Sequence, residues 1–291
     1  MSCDAKFFIN EGKKTLTEHF PMVQAVGRAS HRMPLVCGFV WGNKNHPRVV
    51  LVGKGVGFDS GGLQVKPHQA MATMKKDMGG AAHMLALAQL VMQAKLPVAL
   101  ELWIATCDNG IDGNAFRPGD VLLSRKGLSV EVNNTDAEGR LILADALHYA
   151  DEGKPDLLVC MATLTGAARV ALGPDIVPFY TDDDSFSDTL LNFSQENFDP
   201  VWRLPFHSEY ESMIESTVAD LDNSPKSGMA GSITAALFLK KFTENAKIFS
   251  HFDIYGWSLI AKPGRQIGGL MQGSRAIFEA INQMLLKHKN F

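Results

Sequence analysis

Residues 78–94 form a stretch without a single Asp, Glu, Lys or Arg, apolar on most faces of the helix its length permits. A helix of that kind is driven inside a protein, because no side of it can face water without cost. Around it stand short apolar runs rich in β-branched residues: Val36 to Trp41 and Val49 to Val52 before it, and Val98 to Ala105 after it, the last bounded by Pro97 and Asn109-Gly110. Strand, buried helix, strand is the βαβ rhythm, which predicts an α/β domain built on parallel pairing. Asp77 stands just ahead of the helix.

The remaining pattern continues the theme. A hairpin is expected over Asp120 to Asn133, a helix from Ala137 to Gly153, just before Pro155, and a strand from Leu157 to Met161. Further helices are predicted at Ser208 to Ser216, Ile233 to Phe242 and Arg275 to Leu286, with a strand at Lys247 to Ile254. Residues 1–32 are mixed and polar, with helical potential from Gly12 to Ala29, and read as a lead-in to one domain over 33–291. Internal repeats, low-complexity tracts and a convincing linker are all missing from the sequence.

Charge and cysteine usage exclude several classes of function. Twenty-eight basic and 31 acidic residues leave a net charge of -3 without long runs of one sign, so a dominant nucleic-acid or acidic-membrane surface is not expected. Cys3, Cys37, Cys107 and Cys160 lack CxxC or zinc-finger spacing and are expected as reduced thiols. The sequence begins without a basic segment leading into an apolar run and nowhere reaches 18 consecutive apolar residues, so a cytoplasmic protein is expected.

Two segments that follow predicted strands concentrate Gly, Lys and carboxylates, in the place where open α/β sheets hold ligands. One is VGKGVGFDSGG at 52–62, continuing through Lys66 to KKDMGGAA at 75–82; the other is NTDAEGRL at 134–141. Each fragment has a plain alternative. Gly53-Lys54 lacks the first Gly and the following Ser or Thr of a phosphate loop. Phe58-Asp59-Ser60-Gly61-Gly62 is similar to a serine-protease nucleophile region but lacks the Gly before Asp, and the chain does not fit the secreted, disulfide-bearing all-β setting of such enzymes. Thr135 to Glu138 fits a helix capping box, Asp77 fits a cap, and Lys66 and Arg140 alone would be surface cations.

Taken together, the blocks resemble the leucyl aminopeptidase (cytosol aminopeptidase) family, whose signature NTDAEGRL occurs here unsubstituted and whose upstream block matches in residue type, order and spacing. VWRLP at 201–205, the run at 219–223 and HFDIYG at 251–256 extend the likeness more loosely. The resemblance implies a three-layer α/β/α fold with a central mixed sheet, phosphorylase/hydrolase-like. It also implies a two-metal exopeptidase that acts on peptides with a free amino terminus, preferring Leu or other apolar first residues.

Carried over position by position, Asp59 and Glu138 would bridge two divalent metals, Asp136 would complete one site, and Lys54 with Asp77 the other. Zinc, manganese, magnesium and cobalt all suit such ligands. Lys54 would ligate only as a neutral amine. Lys66 would stabilise the oxyanion, Arg140 would hold a bicarbonate ion, and Met74, Thr163 and Gly166 would line the pocket for the first side chain. A homohexamer is also implied, as is a further amino-terminal domain whose junction lies near the start of this sequence. Tyr255, where many relatives have Ala, Gln64, and PGRQIGGLMQG at 263–273 depart from the usual pattern. Two competing readings are a silent scaffold or DNA-binding relative, marked by loss of a ligand or of Lys66, and a serine hydrolase using Ser60. No such loss occurs.

Overall fold

The computed structural model describes residues 4–288. In chain order, the first half holds β1 (Lys6–Glu11), α1 (Lys13–His19), α2 (Pro21–Gly27), β2 (Leu35–Gly42), β3 (Arg48–Asp59), α3 (His68–Met71), α4 (Gly79–Gln93) and β4 (Ala99–Asn109). There follow β5 (Val121–Leu123), β6 (Ser129–Glu131), α5 (Glu138–Asp151), β7 (Leu157–Ala162), α6 (Gly166–Leu172), β8 (Val177–Thr181), α7 (Asp184–Glu196) and β9 (Val201–Arg203). The last stretch adds β10 (Leu221–Asp222), α8 (Gly231–Lys240), β11 (Ile248–Asp253), β12 (Trp257–Ser258), β13 (Gly268–Gly269) and α9 (Ser274–His288).

Eight of these strands make one sheet in the order β1-β2-β4-β3-β7-β11-β8-β9. Its centre, β4-β3-β7-β11, is parallel, and antiparallel pairings of β2 with β4 and of β8 with β11 flank it. The sheet is therefore mixed, as the resemblance implies. Period-two alternation sorts the central strands: Val50 and Val52 with Leu158 and Cys160 face one core, whereas Val49 and Leu51 with Leu157 and Val159 face the other. Side chains of α2, α5 and α8 fill the first core and those of α4, α7 and α9 the second, which gives three layers.

The uncharged segment becomes α4, with Met84, Leu87, Ala88 and Val91 in the core. Its first turn lies directly on the sheet. A Cβ on Gly80 would sit 2.1 Å from the Met161 carbonyl oxygen, and one on Gly53 would sit 2.7 Å from the Ala81 Cα. Only glycine permits this approach, which carries Asp77, just before the helix, to the carboxyl ends of β3 and β7.

Several elements were not legible beforehand. Residues 6–11 extend the sheet as an edge strand rather than serving only as a lead-in, and the helical region from Gly12 to Ala29 divides at Phe20-Pro21 into α1 and α2. Residues 208–214, expected as α-helix, form a 3₁₀ segment. Cys37, Cys107 and Cys160 are free thiols, and Cys3 lies outside the described residues. Among the described residues no helix is long and apolar enough to cross a membrane.

Candidate metal centre

Both capping readings of the motif residues fail in the structure. Helix α4 begins behind Met78 and α5 behind Ala137, and neither is capped by a side-chain hydrogen bond. Asp77 and Glu138 are thus released from structural duty. Thr135 instead stitches the two motif loops together. Its hydroxyl donates to the Gly61 carbonyl at 2.6 Å and accepts from the Gln64 backbone N–H at 2.9 Å. Gly61 and Gly62, both at positive φ, provide the turn that makes this meeting possible.

The two loops close around one cavity of about 610 Å³, lined among others by Lys54, Asp59, Lys66, Met74, Asp77, Asp136, Glu138, Thr163 and Gly166. Nine of the ten site residues expected from sequence thus meet there; Arg140 stands outside the lining. Lys54 is only 2% exposed. Its Nζ is 2.7 Å from Asp77 Oδ2 and 2.8 Å from Glu138 Oε1, and it donates to the Thr163 carbonyl at 3.2 Å. Lys66 Nζ is 2.7 Å from Asp59 Oδ2 and 2.5 Å from Asp136 Oδ1. Gly139 is what lets Lys54 through: a Cβ there would stand 2.7 Å from the lysine Cε.

Four carboxylates against two ammonium groups is an unbalanced, buried arrangement. Burial, helped by the negative charge of Asp59, pushes Glu138 up to about 8, and burial likewise raises Asp77 and Asp136. Burial works against the charge of Lys54, but Asp77, Glu138 and Asp59 outweigh it and hold the ammonium well above its ordinary range; Lys66 is raised in the same way by Asp59, Glu138 and Asp136.

The oxygens also fit cations. Glu138 Oε2 is buried and lacks any hydrogen-bond partner, while Asp77 Oδ2 and Asp136 Oδ1 touch only lysine, without hydrogen-bond alignment. One oxygen each from Asp59, Asp136 and Glu138 lie within 4.8 Å of one another. A divalent cation there would replace costly unpaired acceptors with coordinate bonds.

Surrounding residues fix these ligands. Asp59 Oδ1 accepts from Gly61 N–H and from Asn109 Nδ2, both at 2.9 Å, and Thr163 Oγ1 donates to Asp77 Oδ1 at 2.8 Å. The 134–136 loop is held by Asn223, which accepts from the N–H groups of Asn133 and Asn134 and donates to the Asn134 carbonyl. Asp253, at the end of β11, accepts from Leu164 N–H, Thr165 N–H and the Thr165 hydroxyl, fixing the loop after β7. Asn109 was not singled out in the sequence; Asn223 and Asp253 lay in the loosely matched segments at 219–223 and 251–256.

Arg140 is buried behind the cavity, with Nε and Nη1 lacking any hydrogen-bond partner, and burial lowers its guanidinium to about 10. Ser60 is unsuited to nucleophilic work: its hydroxyl donates to the Asn109 carbonyl at 2.7 Å and accepts from Gly62 N–H, and among the described residues no histidine lines the cavity.

Residues 2–277 match the sequence profile of the "Cytosol aminopeptidase family, catalytic domain". The chain belongs to the cytosol aminopeptidase family. A probable cytosol aminopeptidase of Chlorobium limicola is 43% identical over 262 residues, covering 89% of this chain and 52% of the relative. This member of the family therefore spans about half the length of the curated relatives it matches. The crystal structure of a cytosol aminopeptidase from Coxiella burnetii superposes with a TM-score of 0.94 at 48% identity, over 97% of this chain and 62% of that one. The bottromycin maturation enzyme BotP, solved in complex with Mn, gives 0.90 at 33% identity, over 97% and 63%. These matches agree with the mixed-sheet α/β architecture described above.

Proposed function

We propose that this chain is a metal-dependent aminopeptidase that removes single residues from peptides with a free amino terminus. Two divalent cations would be held by Lys54, Asp59, Asp77, Asp136 and Glu138, with Asp59 and Glu138 as bridges, Asp136 completing one site and Lys54 with Asp77 the other. Zinc or manganese suit the donors best, and magnesium or cobalt are compatible. The observation that carries this reading is four carboxylates facing one cavity against two ammonium groups, with Glu138 Oε2 left without any donor. When bound, the cations would anchor the substrate's α-amino group, polarise the scissile carbonyl and lower the pKa of the attacking water.

The chain's own residues supply the remainder. Lys54 would hold a cation as a neutral amine, releasing its proton to solvent, and its ion pairs with Asp77 and Glu138 favour the charged form while the site is metal-free. Lys66, on the cavity wall and paired with Asp59 and Asp136 in the metal-free fold, would supply positive charge to the developing oxyanion. Arg140, with two unpartnered donors, would hold a bicarbonate ion that carries the water's proton. Met74, Thr163 and Gly166 would line the space for the first side chain, where the thioether packs against the apolar stem of that side chain.

Hydrolysis of leucine p-nitroanilide by the manganese-loaded chain tests this reading. Release should stop with chelator, and acetyl-leucine p-nitroanilide should be inert; turnover that survives chelation, or efficient cleavage of the acetylated compound, would contradict it. A cytosolic homohexamer is the accompanying expectation, to be checked by light scattering; nucleic acid is not an expected partner.

A further inference from the structure

Two cations on the cavity wall have no role in the chemistry proposed above. Lys76 is buried, and its Nζ lies 4.8 Å from the centroid of the Tyr255 ring; the Arg169 guanidinium lies 4.8 Å from the same centroid. All three side chains line the cavity. Lys54 and Lys66 have the site carboxylates, Arg125 has Glu152 and Arg203 has Asp184, whereas the buried Arg140 has no ion pair and is the cation assigned above to an anion from outside. Among the described residues no ion pair is formed by Lys76 or Arg169. An aromatic face compensates a desolvated ammonium only in part. Lys76 is thus a buried cation without an anion, and the exposed Arg169 guanidinium shares its aromatic ring at the cavity wall, so the two are placed to receive an anion from outside.

Their place in the chain says which part of a substrate would bring it. Lys76 is in the same 3₁₀ turn as Met74, and Arg169 follows Gly166 by one turn of α6. Both belong to the wall assigned to the first side chain. Resting on the aminopeptidase reading, we propose that this pocket selects an acidic first residue, glutamate ahead of aspartate. The methylenes would lie along Met74 and the carboxylate would be received by Lys76 and Arg169 against Tyr255. Glutamate reaches further than aspartate past the apolar segment to the cations, which sets the order.

Kinetics of the manganese-loaded chain on amino-acid p-nitroanilides test this, because these substrates carry a carboxylate only on the first residue. The expected result is a higher kcat/KM for the glutamyl than for the leucyl compound. In Lys76→Met and in Arg169→Ala, the glutamyl-to-leucyl ratio should fall at least about tenfold, the scale of one hydrogen bond to a charged group, chiefly through KM. Arg169→Glu should raise the lysyl-to-glutamyl ratio. A second pair, Leu-Glu-amide against Leu-Leu-amide, places the acid on the second residue and should show no such advantage. Leucyl cleavage with no glutamyl preference overturns the acidic-pocket proposal alone, as does a preference confined to Leu-Glu-amide. No cleavage of any substrate by metal-loaded protein overturns both this proposal and the aminopeptidase reading.

Discussion

Glu138 and Asp151 stand at the two ends of the same helix, α5, and both are buried, yet their oxygens meet opposite surroundings. Asp151 accepts four hydrogen bonds, from the N–H groups of Glu244, Asn245 and Ala246 and from the Asn245 side chain, at 2.8 to 2.9 Å. Glu138 has one oxygen against Lys54 and one against nothing. Asp199 follows the Asp151 pattern, accepting the backbone N–H groups of Gly273 and Arg275 at the start of α9. A carboxylate that serves the fold is saturated by backbone donors, because burying an unmet acceptor costs about 1–3 kcal/mol. Around the cavity, folding leaves Glu138 Oε2 without a donor and sets four carboxylates against two ammonium groups, an imbalance that a bound cation would offset.

Substitutions at and around the two ends of α5 separate these roles. Asp59→Ala and Glu138→Ala should abolish metal occupancy together with turnover, a loss well beyond the ~10²–10³ of a single oxyanion donor. Next in size, Lys66→Ala should lower kcat by about 10²-fold or more with metal content unchanged, whereas Lys54→Ala should lose one metal and make activity depend on added metal. Metal loss in Lys66→Ala, with normal content in Lys54→Ala, would reverse the two assignments. At the far end, Asp151→Ala should cost about 3 kcal/mol of stability in chemical denaturation, by stranding the donors of 244–246, while the folded fraction keeps its full metal stoichiometry.

The smallest expected effect is a pH dependence. Glu138 is held at about 8 in the metal-free fold, above its unfolded value of about 4.3. The folded state therefore binds more protons than the unfolded one between those values, and metal-free stability falls as pH rises through them. A cation binds the deprotonated form and reverses that loss. The gain in Tm on adding manganese should accordingly be larger at pH 7.5 than at pH 5.5; an equal gain would detach Glu138 from the metal.

How much of this was readable from the sequence depended on whether the signal was local. The buried helix, the central strands and the motif lysines and carboxylates are marked by period and composition within a few residues, and they fall where expected. Strands β1, β8 and β9 escaped because each is short and specified by its neighbours in the sheet rather than by its own pattern. The capping readings of Thr135 and Asp77 were sound for an isolated helix start, but a hydroxyl 74 residues away from Gly61 in sequence closes a loop instead. Asn109 carried no signal, since an Asn-Gly pair reads as a turn. Lys76 and Arg169 are 93 residues apart in sequence, and only the fold sets both against Tyr255.

Titrating chelator-stripped protein with manganese in a calorimeter, wild type beside Glu138→Ala, tests the metal centre most directly. Two metals should bind per wild-type chain and none to Glu138→Ala at the same concentrations. Absence of binding to the wild type, or undiminished binding to Glu138→Ala, would contradict the metal-centre assignment.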